Sequence, residues 1–344
     1  MMANGNDSPL KRTWVRLLKN RPAVVSLVVI GIAIILSVVG PMIAPDKTPD
    51  ADDQVLELAN ENPGFSVKML LVQKNREEVK KSLWSNLFFG KENENEMIPI
   101  VSYAFDANGN IEYKTYEGEG RNARKKVLPI VDVCEALSIT NPEITLNGDK
   151  ATYTNFEEQP KTVSINALKQ QREKNRIITK RYFLGTDGYG RDILSRLLFG
   201  VRVSMSVGLV AVLISLTIGI FMGSIAGYFR GATDNIIMWL INVIWAIPTI
   251  LLAMAIRFAI GDKIPSFLAI FIAVGLSMWV DTARIVRGQV LAVREMEYVQ
   301  AARGLGFNHL RIIFKHILPN IIGPIMVIAA SDFASAILIE AGLS

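Results

Sequence analysis

The chain has 344 residues, half of them apolar, with 37 Lys and Arg against 32 Asp and Glu and a net charge of +5. That charge is not gathered into a basic stripe, so nucleic acid is not an expected partner. The single cysteine, Cys134, excludes an internal disulfide and a cysteine metal cluster, and no H-E-x-x-H or G-x-x-x-x-G-K-[ST] sequence is present to make a zinc enzyme or a P-loop ATPase.

The apolar residues cluster in long runs, which marks a membrane protein rather than a large soluble one. Residues 1–22 are polar and basic, with Lys11, Arg12, Arg16, Lys19 and Arg21 against Asp7. Residues 23–45 read as a first transmembrane helix. No charge interrupts Pro22 to Pro45, and at ~1.5 Å per residue the run crosses a ~30 Å hydrocarbon layer. A cleavable signal peptide has an apolar core of only ~7–15 residues. The reading is therefore an uncleaved helix with a cytoplasmic N-terminus, set by its basic flank.

Residues 46–182 change character: they are polar, rich in Asn, Glu and Lys, and nearly charge-balanced. They predict a small extracytoplasmic α+β domain, long enough for its own core. Met69, Leu70, Val79, Leu83 and Leu87 have helical spacing over Ser66–Phe88. A hairpin is expected from Tyr103 to Tyr113, turning at Asn108-Gly109, and a second from Ile144 to Tyr153, turning at Asn147-Gly148. Glu92–Met97 reads as a solvated loop and Ile165–Ile178 as a helix. Asp50, Asp52 and Asp53 read as surface-solvating rather than metal-binding, and the region holds no catalytic constellation.

Residues 183–344 predict a transmembrane core. The stretch from Leu184 to Arg196, L-G-T-D-G-Y-G-R-D-I-L-S-R, joins a Gly-rich turn to a predicted amphipathic helix. That helix would place Arg191 and Ser195 on one face, with Ile193, Leu194, Leu197 and Leu198 as its apolar part, and would lie along the membrane interface. Four further spans follow: Val203–Phe229; Asn235–Ile256, with a kink at Pro248; Ile264–Val280; and the run from His316 to Ile339, interrupted only by Asp332. Gly208, Gly219, Gly223 and Gly227 suit close helix packing. Arg230–Asp234 is too short to do more than join antiparallel neighbours. Asp332 is expected to line a solute path or to pair within the helix packing. Arg284, Arg287, Arg294, Arg303, Arg311 and Lys315 place 281–316 on the cytoplasmic side, in agreement with the basic N-terminus.

Within that side, 284–319 forms a polar loop, and its Glu297–Pro319 part reads as two short helices. The first covers Glu297–Gly304, with Gln300, Ala301 and Gly304 on one small, polar face open to another protein. Gly306 suits a left-handed turn. The second helix puts Leu310, Ile313, Phe314 and Ile317 on one stripe and Arg311 and Lys315 on another, and Pro319 closes the segment.

Gln300-Ala301-Ala302, Gly306 and Leu318-Pro319 resemble the E-A-A-x-x-x-G-x9-I-x-L-P loop of ABC-importer permeases, with Gln300 replacing Glu and His316 replacing Ile. The H-I-L-P ending resembles the oligopeptide/dipeptide branch. Gly185, Thr186, Asp187, Gly190, Arg191, Asp192, Ser195 and Arg196 resemble that branch's L-G-T-D-x-x-G-R-D-x-x-S-R motif, which is long and specific. The resemblance covers 183–344 closely and 1–45 loosely; the 46–182 insert lies outside the family pattern.

The resemblance implies an all-α, polytopic type I permease of a bacterial cell membrane, with five spans here and a sixth in a longer full protein. It implies a second homologous permease subunit, two ATP-binding subunits, an extracytoplasmic substrate-binding protein and a peptide substrate. ATP and magnesium would reside in those partners, with no cofactor or metal on this chain and no catalytic residue of its own. The loop containing Glu297, Gln300, Ala301, Ala302, Gly304, Gly306, His316, Leu318 and Pro319 would couple to the ATPases. Two other readings stand beside it: a permease for nickel or another small solute, and a membrane-anchored sensor or assembly protein whose outer domain binds a ligand.

Overall fold

An uncharged run with proline in its first turn forms α1, Arg21–Ile43, and leaves its large side chains exposed along most of its length. The computed structural model describes residues 17–76, 90–106, 110–118, 122–138, 143–168 and 176–343. It divides into two units, up to Arg202 and from Val203 onward.

In the first unit, β1 (Ser66–Gln73), β2 (Asn95–Phe105), β3 (Asn110–Thr115), β4 (Lys125–Pro129) and β8 (Ile177–Arg181) form an antiparallel sheet in the order β4-β3-β2-β1-β8. Alternation along β1 divides its side chains between two cores. Leu70 and Val72 join Ile100, Ile111, Tyr113 and the short helix α2 (Ile130–Cys134) on one face. Val67 and Met69 join Val55, Leu58 and Tyr182 on the other. A second sheet, β5 (Ile144–Asn147), β6 (Lys150–Thr154) and β7 (Pro160–Ser164), adds Ala151 and Tyr153 to the first core.

This double burial corrects the helix expected from Ser66: the stretch to Gln73 is a strand, because a run buried on both faces lacks the alternation that distinguishes strand from helix. Val79, Leu83 and Leu87 lie outside the described residues. Asn95–Met97, expected in a loop, begin β2. Tyr103 pairs with Tyr113 as the first hairpin requires, while its turn at Asn108-Gly109 lies outside the described residues. In the second hairpin Ile144 pairs with Tyr153, but the two-residue turn is Gly148-Asp149, one position later than expected. Gly148 adopts φ +64° there, the left-handed first turn position that favours glycine. Ile165–Leu168 are helical as expected, whereas Ile177 and Ile178 belong to β8.

The unit boundary falls within α3, Ile193–Phe229. The predicted interfacial helix is thus the first turns of one long helix continuous with the span, and Arg191 precedes it rather than sharing its face with Ser195. In the second unit, α4 (Gly231–Trp245) and α5 (Thr249–Ile260) meet at 92°. The expected kink at Pro248 is a full break, since proline removes a backbone donor and starts a new helix more readily than it continues one. α6 (Ser266–Val293) runs well past Val280, the end expected for its span. Its two arginines before Gly288 find partners: Arg287 grips Asp234 with Nε–Oδ1 at 2.5 Å and Nη2–Oδ2 at 2.7 Å, and Arg284 stacks 4.1 Å from the Trp245 ring centroid. The final helix, α9, covers Ile322–Leu343.

Gly219, Gly223 and Gly227 bring α3 against α6. A Cβ on Gly223 would lie 2.4 Å from the Ala283 carbonyl, and one on Gly219 would lie 2.5 Å from Thr282 Cβ. Gly208 instead meets Phe333 of α9. Among the described residues four helices, α1, α3, α6 and α9, are long and apolar enough to span a membrane, and the α4–α5 pair would make a fifth if counted as one span.

Two outcomes follow. Gly223→Leu should destabilise the full chain in detergent by about 1–3 kcal/mol through overpacking, read as a lower thermal midpoint, while Gly323→Ala, whose Cβ meets nothing within 4 Å, should not. Cys134, 4% exposed in the sheet core, should react with a thiol reagent only once denaturant opens that core; fast labelling of the native chain would contradict this packing.

Candidate functional site

Between α6 and α9 the chain leaves the apolar regime. α7, Glu297–Gly304, starts with an acidic residue and ends near Arg303, as a helix dipole favours. Val299 and Ala302 are buried against Tyr228, Val286, Val290, Ile312, Ile313, Ile317, Ile321 and Ile325. The opposite face, Gln300, Ala301 and Gly304, is exposed. Gln300 Nε2 donates to the Glu295 carbonyl at 3.1 Å. Gly306 takes φ +76° and turns the chain in open space.

α8, His309–Ile312, is capped by Asn308, whose Oδ1 accepts from Arg311 N at 2.8 Å. It continues through a wider-wound turn, Ile313–Ile317, and a tight turn over Leu318–Asn320 containing Pro319. The expected stripe is corrected here: Ile312, Ile313 and Ile317 are buried, whereas Leu310 and Phe314 are exposed, because the winding changes within the segment. His316 stacks on Phe307 with centroids 5.8 Å apart, and its buried Nε2 has no hydrogen-bond partner. Leu318 packs on the buried cluster.

Tyr228 anchors the segment from α3. Its hydroxyl lies 3.0 Å from His309 Nδ1, Arg303 covers its ring at 4.9 Å, and Arg294 donates to its carbonyl. Met296, Tyr298, Leu305, Leu310 and Phe314 are exposed together with the small face of α7. Apolar side chains are thus displayed on an otherwise polar segment.

Asp332, at 8% exposure, receives Ser215 Oγ at 3.1 Å and Thr282 Oγ1 at 2.9 Å, which joins α3, α6 and α9. Sequence reading missed Glu340, two helical turns further along α9, buried and holding Ser204 Oγ at 3.2 Å. Its i+8 spacing from Asp332 was the available signal.

The Gly-rich motif lies in the first unit. Gly185 and Gly190 take φ +79° and +74°, and a Cβ on Gly190 would fall 1.7 Å from the Val55 carbonyl oxygen. Buried Thr186 accepts from Glu61 N at 2.8 Å and donates to the Leu58 carbonyl. Asp192 caps α3 by accepting from Ser195 N at 2.9 Å, and Ser195 Oγ accepts from Asp46 N at 2.9 Å. Asp187 accepts from Tyr189 N, Arg191 N and Arg191 Nε at 2.8–3.0 Å, and Arg191 reaches Asp52 at 2.8 Å. Arg196 stands farther off, 3.8 Å from Asp187 and 4.0 Å from Asp52. Asp52, expected only to solvate the surface, is thus an ion-pair partner, and the Arg191 hydrogen bond holds its carboxyl below the usual range. Partial burial works against the Asp187 charge, but the hydrogen bonds from Arg191 and Tyr189 outweigh it and its carboxyl also lies low.

Residues 219–344 match the family model of the binding-protein-dependent transport system inner membrane component, and residues 8–63 match the N-terminal transmembrane domain of oligopeptide transport permease C. Both matched segments are similar to components of binding-protein-dependent permeases. It is 39% identical over 166 residues to the oligopeptide transport system permease protein OppC of Bacillus subtilis (strain 168), covering 48% of this chain and 53% of that protein. It is 37% identical over 163 residues to the glutathione transport system permease protein GsiD of Pectobacterium atrosepticum, covering 47% of this chain and 53% of that protein. The chain spans about half the length of the curated relatives it matches. A methionine ABC transporter solved in inward-facing conformations overlaps 42% of this chain and 71% of that chain at 20% identity, with a TM-score of 0.38, too low to carry an argument.

The pH dependence of the Asp187 cluster has a definite sign. A carboxyl with a lowered folded-state pKa stabilises fully above its unfolded value of about 3.9, and that gain is lost as pH falls through the folded value. Asp187→Asn should therefore cost about 1–2 kcal/mol at pH 7. The gap to the parent should close below about pH 3.9, as followed by thermal unfolding of the full chain in detergent.

Proposed function

We propose that the chain is a transmembrane permease subunit of an ATP-driven, binding-protein-dependent importer, forming half of the translocation pathway for oligopeptides. The observation that carries this reading is the exposed face of α7, Gln300, Ala301 and Gly304, held on a buried apolar base and flanked by exposed Tyr298, Leu305 and Phe314. Small side chains let a partner's surface approach closely, and the surrounding apolar groups supply area that is favourable to bury. In this reading two ATP-hydrolysing subunits dock on residues 297–319 and bind the ATP and magnesium, a second homologous permease completes the pathway, and an extracytoplasmic binding protein delivers the solute.

The basic residues before α1 and those between Arg294 and Lys315 support a bacterial cell-membrane topology with both segments cytoplasmic. The sheets of the first unit then lie outside, with the α4–α5 pair counted as one of five spans. The insert is tethered at both ends, which limits its travel more than one flexible linker would. It forms part of the docking surface for the binding protein or caps the pathway mouth, and its balanced charge makes shape rather than steering the basis of recognition. Peptide is favoured over nickel by the oligopeptide and glutathione transport named for the relatives. The docking surface of α7 weighs against a sensor that only anchors and signals.

The test uses positions where the fold leaves room. A Cβ on Gly304 meets nothing within 4 Å, and Ala301 is exposed. Ala301→Arg with Gly304→Arg should leave insertion and thermal stability unchanged while reducing co-purification of ATPase subunits by about tenfold or more, the loss expected from blocking one strong contact. Undiminished co-purification would contradict the docking role. Replacing residues 50–178 with a Gly/Ser linker tests the insert: unchanged apparent affinity for the loaded binding protein would remove its docking role.

A further inference from the structure

Within the second unit, α6, α9 and the start of α5 line a half-open cavity of about 540 Å³, in the size range of small-molecule sites. Its polar lining consists of Asp281, Asp332, Thr249, Ser331 and Ser335, and the rest is apolar. No Lys, Arg or His is among the lining residues. The nearby guanidiniums on α6 are engaged elsewhere, Arg284 with Trp245 and Asn242 and Arg287 with Asp234. Asp332 is satisfied by two hydroxyls but by no cation, and Asp281 is exposed with no ion pair among the described residues. A carboxylate buried in a membrane-spanning bundle without a compensating cation, as Asp332 is, is costly, and such groups mark solute pathways; Asp281 adds a second acid at the exposed side of the same space. Their spacing is systematic: Met278, Asp281 and Ile285 line one face of α6, and Ile328, Asp332, Ser335 and Ile339 one face of α9. Two helices therefore present acid, hydroxyl and apolar surface to the same space.

We propose that this cavity is a cation-selective subsite of the translocation path, which holds the ammonium or another cationic group of a transported peptide against Asp281 and Asp332 while its hydroxyls and apolar wall accommodate the neighbouring residue. The solute part rests on the importer reading above; the cation selectivity of the cavity does not. The carboxylates raise the local concentration of cations and oppose anions by the same field.

The experiment uses the complete importer in proteoliposomes, with Cys134→Ser as background and Ser335→Cys as reporter. The reporter thiolate attacks a methanethiosulfonate reagent, forming a mixed disulfide and releasing methanesulfinate. The trimethylammonioethyl reagent should modify Ser335→Cys faster than the sulfonatoethyl reagent, and adding Asp281→Asn should lower that rate ratio by at least about threefold, as loss of one nearby charge in a partly screened site requires. Asp281 is exposed, so this change does not burden folding as Asp332→Asn would. Equal rates for the two reagents, a ratio unmoved by Asp281→Asn, or no modification at all would overturn the proposal.

The second arm compares uptake of Ala-Lys-Ala and Ala-Glu-Ala by the parent and the Asp281→Asn importer. Both peptides are loaded by the same binding protein, so its preference cancels between parent and variant. The Lys-over-Glu ratio should fall by at least about threefold; an unchanged ratio overturns the subsite. If the parent imports neither peptide, the importer reading fails and the solute part falls with it, while the labelling ratio still decides the cation selectivity.

Discussion

The close approach of α3 and α6 is the constraint on which the second unit depends. At Gly219, Gly223 and Gly227 the facing backbone or Cβ atoms stand where any side chain would overlap them. Two helices in lipid gain little from hydrophobicity, so contact area and polar pairing must hold them. The glycine stripe supplies the area and brings Ser215 within reach of Thr282 and Asp332. It also sets Tyr228, Val286 and Val290 side by side as the base under α7 and α8. The polar centre of the bundle and the platform for the exposed surface thus follow from one packing arrangement.

A comparable economy governs the first unit. Gly185 and Gly190 let the chain pass hard against residues 55–62, and the groups released there are all taken up: Thr186 by Leu58 and Glu61, Asp187 by Arg191, Asp192 by the start of α3. Ser195 then ties Asp46, just beyond α1, to the same helix start. Buried polar groups at a helix end are costly unless paired, and here each cap also serves as a tether. Asp192 Oδ1 and the Tyr182 hydroxyl are buried here without a hydrogen-bond partner among the described residues. Burial, reinforced by Asp53, Asp192 and Asp46, pushes the Tyr182 phenol up, so it stays neutral.

Much of the candidate surface is legible in the amino-acid pattern alone. The bounds of α7, the left-handed turn at Gly306 and the exposed Gln300–Ala301–Gly304 face all follow from local rules of spacing and glycine conformation. What escaped was the other half of the surface. Leu310 and Phe314 were expected to share a stripe with Ile313 and Ile317, but a change of winding after Ile312 rotates them outward. Glu340 and Asp281 went unmarked as site residues because each sits beside charges or at a helix end where an acid looks ordinary; only the neighbouring helices reveal what they face.

The sequence by itself determined the membrane class, the apolar helices, both hairpins and the helix–turn–helix character of 297–319. Each of these depends on partition between water and lipid or on backbone preferences within a few residues. The tertiary structure decided whether Ser66–Gln73 would be strand or helix, because a doubly buried run satisfies either pattern until its neighbours are known. It decided that α6 would continue past Val280 through Arg284 and Arg287, because a helix keeps such charges in place when Trp245 and Asp234 stand ready to receive them. Those outcomes depend on partners far away in sequence, and no local pattern encodes them.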